Sequence, residues 1–224
     1  MTLVLIMAGF LAAAAPSPLE MARDQQDRAA LEKAIADFSA AAAKAPNDAA
    51  AQYKFALASS YLAEVAIELH DRKAARPVAE KGIQAAEKAV SLKPDIAEYY
   101  RVLATLYGQA VTDIMSGLKY GPKAKEAVAK AVEKAPNSAP MYVARGVGNY
   151  YLPAQLGGGP SVAIPDFQKA IQLDPKDAEA YLWLGISLRQ ANKEAEARQA
   201  LAKSLELAPN RVWTKQQLEK TPAK

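Results

Sequence analysis

The chain has 224 residues, enough for one globular domain or a short solenoid with a sizeable apolar core. Its 28 basic and 24 acidic side chains are interspersed and give a net charge of +4, which argues against a nucleic-acid-binding stripe. The lack of cysteine excludes disulfides and thiolate chemistry, and a single histidine, His70, excludes most histidine-based catalytic and zinc sites.

The first fifteen residues differ from the rest, because Leu3 to Ala15 is apolar or small throughout and the first charged side chain is Glu20. This pattern predicts a signal peptide at residues 1–15, and hence an exported, periplasmic protein. The apolar run is well short of the roughly 20 residues that a membrane-spanning helix needs. The alternative is a buried N-terminal helix, but Pro16 and Pro18 separate the segment from the rest of the chain.

Residues 19–45 carry the apolar spacing of one amphipathic helix. Helix-favouring Ala, Leu, Lys and Glu dominate this segment and the whole chain, so an all-α fold is predicted. The apolar side chains that share one face of this helix are Leu31, Ala34, Ile35, Phe38 and Ala41. We therefore expect a lone N-terminal helix that packs on the next element as half a repeat unit would.

Five similar phrases, each ending in a proline, recur along the chain. They are FSAAAAKAP, AEKAVSLKP, VAKAVEKAP, FQKAIQLDP and LAKSLELAP, and they end at Pro46, Pro94, Pro136, Pro175 and Pro209. Successive prolines are 48, 42, 39 and 34 residues apart. Self-similarity with periods of this size is typical of a solenoid of stacked helix pairs. The prolines divide the chain into units at about 47–94, 95–136, 137–175 and 176–209.

The last unit, residues 176–209, resembles a tetratricopeptide repeat from end to end. The positions that carry the resemblance are Tyr181, Leu184, Gly185, Leu188, Ala197, Leu201, Ser204 and Pro209. The resemblance implies an all-α solenoid of helix-turn-helix pairs spanning residues 19–220, with about four units. It also implies a capping helix at 210–220, because Glu219 stands where a further packed unit would need a small residue.

The three earlier units exceed the 34-residue period of these repeats by 14, 8 and 5 residues, all between the first and second helix of the unit. Equivalent connections fall on one edge of a solenoid, so we expect a thickened rim there. Leu62 to Leu69 keeps a helical stripe, which predicts a longer first helix in the first unit. The third insertion is predicted to be a loop with a candidate binding edge, the rim loop (residues 151–159): Tyr151, Leu152, Pro153, Gly157, Gly158 and Gly159.

In tetratricopeptide proteins the first helices line a concave groove, so the resemblance implies a peptide- or protein-binding groove here. Its candidate residues are Tyr53, Leu57, Tyr61, Arg101, Thr105, Gln109, Val143, Val147, Tyr150, Leu182, Ile186 and Arg189. Tyrosine and aliphatic side chains with a few Arg and Gln suit a peptide with apolar anchors. We expect a protein-interaction scaffold of the bacterial envelope that contacts the membrane only through its signal segment.

Catalysis has no support in the sequence. The Gly157-Gly158-Gly159 run lacks the Lys-Ser/Thr that follows a phosphate-binding loop, and His70 points away from Glu68 and Asp71 on a helix. We therefore predict no enzyme activity, no catalytic residues, no cofactor, no metal and no nucleic-acid partner. The alternative function is an accessory solute-binding protein, because the long first helix and glycine-rich connection also resemble periplasmic tetratricopeptide proteins that accompany some solute transporters.

Overall fold

The computed structural model describes residues 16–221, which form eleven α-helices and a short 3-10 turn at Ala154–Leu156. The signal peptide predicted at residues 1–15 lies outside these residues. Within them, no helix has both the length and the apolar character needed to cross a bilayer. The helices are α1 Pro18–Asp24, α2 Arg28–Lys44, α3 Ala49–Glu68, α4 Arg72–Leu92, α5 Ala97–Gln109, α6 Ile114–Lys134, α7 Ala139–Tyr151, α8 Pro160–Leu173, α9 Ala178–Gln190, α10 Glu194–Leu207 and α11 Val212–Glu219.

The lone helix expected at residues 19–45 is wrong, because the segment is broken into α1 and α2. Gln26 adopts a left-handed conformation with φ of 55°, which ends the first helix. The Asp27 carboxylate then accepts a hydrogen bond from the Ala30 amide at 3.0 Å and starts α2. The described residues therefore begin with a complete, if short, helix pair.

Four helix pairs follow, α3/α4, α5/α6, α7/α8 and α9/α10, and the two helices of each pair pack on each other. The first helices also pack on one another, α3 on α5, α5 on α7 and α7 on α9. Each second helix contacts the first helix of the next pair. The first helices therefore form the inner layer of a curved solenoid.

The additional residues of the first two units are helical. Helix α3 has 20 residues and α4 has 21, against 13 in α9 and 14 in α10, so the first pair is extended by about two turns in both helices. Helix α6 is extended in the same way, to 21 residues. Both extended second helices continue through an internal proline, Pro77 in α4 and Pro122 in α6. Only the third unit has a long loop, as predicted.

Close helix contact requires glycine at Gly185 and at Gly146. A Cβ atom on Gly185 would lie 2.6 Å from Leu201 Cγ, and one on Gly146 would lie 2.5 Å from Phe167 Cε1. These are the points at which α9 meets α10 and α7 meets α8. A larger side chain at either place would force the two helices apart.

Polar side chains join the two helices of the third pair. Arg145 donates to Asp166 Oδ1 from both Nε and Nη2, at 2.9 and 2.5 Å. The Asn149 amide donates to Asp166 Oδ2 at 2.8 Å. Because Asp166 is buried, these bonds satisfy a carboxylate that would otherwise be destabilising, and they tie α7 to α8.

Helix α11 covers the end of the last pair. Its residues Trp213, Thr214 and Gln217 are buried, whereas Glu219 on the outer face is exposed. Arg189 of α9 holds the helix in place by donating to the Gln217 carbonyl and to Thr221 Oγ1, each at 3.0 Å.

Candidate functional site

The inner face of the solenoid is closed at its centre by Arg211, the residue before α11. Its guanidinium is fully buried and donates to Glu179 Oε1 at 3.0 Å, Glu64 Oε1 at 2.6 Å and Glu68 Oε1 at 2.5 Å. Glu64 and Glu68 lie on α3, at the other end of the chain. The curvature of the solenoid therefore brings its C-terminal cap into direct contact with its first long helix pair.

A second arginine, Arg23, extends this network. We call the whole group the ion cluster, and its members are Arg23, Asp24, Glu64, Glu68, Glu179 and Arg211. Arg23 Nη2 lies 2.6 Å from Asp24 Oδ1 and 3.2 Å from Glu179 Oε1. Four carboxylates thus share two guanidinium groups, and Gln26 Nε2 supplies a further donor to Glu68 Oε2 at 2.8 Å. Buried charges of this kind are tolerated only when they are paired and hydrogen-bonded.

The carboxylates of the ion cluster titrate differently. Burial raises the pKa of Glu68 to about 8 against the opposing effect of Arg211, and Glu64 adds to the rise. Burial also acts to raise the pKa of Glu179, but Arg211 and Arg23 together hold that pKa below its ordinary value. Neighbouring carboxylates raise the pKa of both arginines, so the arginines stay charged. Glu68 is therefore set to change charge near neutral pH.

Among the groove candidates of the first two units, most polar groups already bind other side chains or the backbone, and Gln109 Oε1 is buried without a hydrogen-bond partner among the described residues. Tyr53 donates to Glu98 at 2.9 Å, and Arg101 donates to both oxygens of Glu98 at 2.6 Å each. The Tyr61 ring packs under the Arg23 guanidinium, 5.0 Å from the ring centroid. Three further candidates belong to the same two units. Leu57 is half-buried against the core, and the Thr105 hydroxyl donates a hydrogen bond to the Arg101 carbonyl. Gln109 is buried, and its Nε2 donates a hydrogen bond to the Ser60 carbonyl.

The candidates of the last two units belong mostly to a core cluster around Trp183. Leu182 and Ile186 are buried, which corrects the expectation that they face an open groove. Val143, Val147 and Tyr150 are half-buried against the same cluster. Arg189 donates hydrogen bonds to Gln217 and Thr221 of the capping segment. The structure thus brings the twelve groove candidates onto one layer, but most of them serve packing and internal hydrogen bonds.

Sequence reasoning missed the ion cluster, although the helical spacing contains a signal for it. Glu64 and Glu68 follow Tyr61 by three and seven residues, and Glu179 precedes Leu182 by three, so all three lie on the inward stripe. Charged residues on an inward stripe indicate a buried partner. Nothing local to Arg211 identifies it as that partner.

The rim loop is an ordered turn. The Gly159 amide donates to the Asn149 carbonyl at 2.8 Å, and the Gly158 amide donates to the Pro153 carbonyl at 3.2 Å. Gly157 and Gly159 have φ of 81° and 109°, and a Cβ on Gly158 would collide with Leu152. The three glycines therefore fix the shape of this loop.

Tyr150 and Tyr151, at the end of α7, differ in role. The Tyr150 ring packs edge-on to Trp183 with centroids 5.6 Å apart, and burial raises its pKa. Tyr151 is 47% exposed, and its ring centroid lies 5.0 Å from that of Tyr150. The Arg72 guanidinium carbon lies 5.5 Å from the same ring centroid. Tyr150 is therefore mainly a core residue, whereas Tyr151 presents an aromatic edge to solvent.

Exposed apolar side chains are concentrated on the rim, the edge formed by the connections within the pairs. They are Leu69, Ile114, Met115, Leu118, Tyr151, Leu156 and Val162. The start of α4 links the α3–α4 connection to those of the next two pairs. Arg72 contacts Tyr151 at the α7–α8 connection, and one turn later Arg76 Nη1 lies 3.0 Å from Asp113 Oδ2 at the α5–α6 connection. The rim is therefore one surface with an apolar character that the groove lacks.

Two open depressions are lined by none of the candidate groove or rim-loop residues. One of about 360 Å³ is lined by Pro46, Gln52, Phe55, Lys81, Gln84, Ala85 and Lys88. The other, of about 330 Å³, is lined by Arg198, Leu205, Lys215, Leu218 and Glu219. Among residues 16–221, no group of His, Asp and Glu side chains is arranged to hold a metal ion. His70 lies in the left-handed turn after α3, whereas Glu68 accepts a hydrogen bond from Arg211.

The comparisons with known proteins agree with this architecture. The tetratricopeptide repeat family model matches residues 159–218. The small glutamine-rich tetratricopeptide repeat-containing protein 2 of Mycosarcoma maydis is 38% identical over 96 residues, which is 43% of this chain and 26% of that protein. The chain thus matches about a quarter of the length of this curated relative.

Two solved structures share the fold. TTC0263, a thermophilic tetratricopeptide protein of Thermus thermophilus, superposes with a TM-score of 0.65 at 21% identity, covering 91% of this chain and 96% of that one. The HusA haemophore of Porphyromonas gingivalis gives a TM-score of 0.58 at 21% identity, covering 78% and 94%. The chain therefore has the fold of tetratricopeptide repeat proteins, and its residues 159–218 match the family model. Proteins of this class generally mediate protein–protein interactions, and their fold is a scaffold that is typically non-enzymatic.

Proposed function

We propose that this chain is a protein-binding scaffold that captures its partner on the rim loop rather than in the groove. The observation that carries the proposal is the contrast between the two surfaces. The groove is closed by the buried Arg211 network, whereas Tyr151 and Leu156 of the rim loop are 47% and 69% exposed. A peptide entering the groove would have to break several charge-assisted hydrogen bonds before making any contact.

The rim loop has the properties of a binding edge. Its backbone is held by internal hydrogen bonds, so little conformational entropy is lost when a partner binds. Tyr151 offers a large aromatic surface fixed from behind by Tyr150, and aromatic side chains of this kind are typical anchors of protein interfaces. Leu156 and the exposed Val162 at the start of α8 extend the apolar area on the same edge.

The proposed location is the bacterial envelope, with export to the periplasm. The apolar and small residues from Leu3 to Ala15, followed by prolines, support this location. Cell fractionation with an epitope tag at the C-terminus tests it. Recovery of the tagged chain in the cytoplasmic fraction, at its full length, would contradict export.

A second candidate function is accessory solute binding beside a periplasmic transporter. It is favoured by one observation, the aromatic group of Tyr150, Tyr151 and Trp183 with Arg72 beside it, which could stack on a flat ligand. A haemophore also has this fold, although the likeness extends to fold alone. Native mass spectrometry of the protein purified from its own cells separates the two candidates: a bound small molecule favours solute binding.

Site-specific photo-crosslinking tests partner capture on the rim loop. A photoreactive amino acid is placed at Leu156, with matched positions at Leu57 on the inner face and at Ile96 on the opposite edge. We expect one discrete protein adduct from Leu156 and none from the other two. A discrete adduct from Leu57 alone would place the partner in the groove and overturn the proposal.

A further inference from the structure

The extended start of α6 presents the most exposed apolar side chains of the described residues. Ile114, Met115 and Leu118 are 82%, 75% and 70% exposed, and we call these three residues the α6 tip. They lie in the first turn and a half of a helix that is lengthened beyond the ordinary repeat. Single exposed apolar side chains are common on protein surfaces, but three of them clustered at this exposure indicate an interaction surface.

The local fold holds these side chains outward. Asp113 caps the helix by accepting a hydrogen bond from the Ser116 amide at 2.7 Å, and Ser116 Oγ in turn accepts from the Asp113 amide at 3.0 Å. Ser116 and Tyr120 are buried on the inner side of the helix, while the isoleucine, methionine and leucine face solvent. The usual distribution of polar and apolar residues is thus reversed in a turn that is firmly capped.

The charges around the tip are basic. Residues 114–125 contain Lys119, Lys123 and Lys125 and no acidic side chain. The carboxylates that lie closest, Asp113 and Glu80, both pair with Arg76, at 3.0 and 3.2 Å. Lys123 also reaches Glu87, at 3.8 Å. An apolar point flanked by lysines complements a surface that is apolar inside and negative outside.

We propose that the α6 tip inserts into the interfacial layer of an anionic lipid membrane. The tip is the highly exposed apolar end of a helix, and an apolar helix end with lysines beside it matches the interfacial layer of an anionic bilayer. Insertion by about 5 to 10 Å would bury the three apolar side chains and bring the lysines to the headgroups. This contact is additional to the signal segment, which was the only membrane contact expected from the sequence.

The lack of native cysteine allows a direct test with the full chain. Met115→Cys is labelled with an environment-sensitive dye, and Ile96→Cys on the opposite edge is the matched control. Vesicles contain phosphatidylglycerol, or phosphatidylcholine alone. We expect a blue shift of the dye at position 115 with the anionic vesicles, reduced by high salt, and no shift at position 96. Because the dye reports its own surroundings, binding through the N-terminal segment does not imitate this result.

Two variants then examine the two parts of the surface. In the labelled chain, Ile114→Ser with Leu118→Ser removes the remaining apolar side chains, and we expect the vesicle affinity to fall by about tenfold for each residue that inserts fully. Lys119→Glu with Lys123→Glu should lower the affinity for anionic vesicles by at least about fivefold per lysine. Circular dichroism confirms that each variant is folded.

Three results would overturn the proposal. The first is the absence of a shift at position 115 with anionic vesicles. The second is an equal shift at positions 115 and 96, which would indicate non-specific adsorption. The third is a shift that appears without lipid and grows with protein concentration, which would show that the tip is a contact between copies of the chain.

Discussion

Arg211 donates from Nη2 to Glu68 Oε1 at 2.5 Å and so joins two residues that are 143 positions apart in the sequence. In most solenoids each repeat contacts only its neighbours, and the stability is close to a sum of local terms. Here the cap and the first long helix pair share a buried ion cluster. Unfolding at one end of the chain should therefore be coupled to unfolding at the other.

We expect Arg211→Leu to lower the free energy of unfolding by about 3 to 5 kcal/mol, because Glu64, Glu68 and Glu179 lose a shared partner in a buried place. Urea denaturation followed by circular dichroism measures the change. The control is Lys215→Ala on the exposed side of α11, which should stay within about 0.5 kcal/mol of the unchanged protein. Equal stability of the two variants would show that the closure contributes nothing.

Glu68→Gln tests the pH dependence. Burial raises the pKa of Glu68 from 4.5 to about 8, so the folded protein keeps a proton that the unfolded chain releases between these values. The unfolding free energy should therefore fall as pH rises from about 4.5 to about 8, and then level. Glutamine does not titrate, so Glu68→Gln should flatten this part of the curve. Glu179 has a lowered pKa, and its contribution is lost only as pH falls below its ordinary range. A variant with the slope of the unchanged protein would contradict the assignment to Glu68.

Gly185→Leu should destabilise the last pair by a few kcal/mol, on the order of an overpacked core, because its Cβ would already lie 2.6 Å from Leu201 Cγ. Gly108→Leu is the matched control, since a Cβ there meets nothing within 4 Å and a helical glycine is replaced by a better helix former. Thermal melting should separate the two variants clearly. Equal melting temperatures would show that α9 and α10 are not held at this distance.

The helix pairs could be predicted from the sequence because their signals are local. Pro94 comes just after α4 and Pro136 just after α6, where a proline stops a helix whatever the rest of the chain does. The break at Gln26 gave no such signal, because neither glycine nor proline marks it. Pro77 marks no helix boundary either, because α4 starts five residues earlier, at Arg72.

The ion cluster could not be predicted in full, since it depends on curvature that accumulates over four units. A small change of rotation per unit would move Arg211 away from Glu68 without altering any local pattern. The rim was predicted as the edge at which the insertions lie, and in the third unit the insertion is the loop between α7 and α8. The helical extensions of α4 and α6 were missed, and with them the exposed Ile114 and Leu118.

The last prediction concerns the rim loop. Deleting residues 153–157 shortens the connection between α7 and α8 and retains Leu152, Gly158 and Gly159. Shortening a surface loop changes the closure entropy by less than about 1 kcal/mol, so we expect the variant to melt near the temperature of the unchanged protein. The capture of a partner should be lost, because the deletion removes Leu156, the most exposed apolar side chain of the loop, from beside Tyr151.

Two single substitutions make this result specific to binding. Tyr150→Ala should destabilise the fold by about 1 to 3 kcal/mol, because the ring packs edge-on to Trp183 in the core. Tyr151→Ala should lower stability by less than about 1 kcal/mol, since half of the ring is exposed, and should weaken partner capture as the deletion does. Binding is measured as the yield of the crosslinked adduct, with the photoreactive residue placed at Val162, which all three variants retain. If the deletion and Tyr151→Ala both give the full adduct yield, the partner contacts neither the loop nor its tyrosine, and the rim proposal fails while the fold stands.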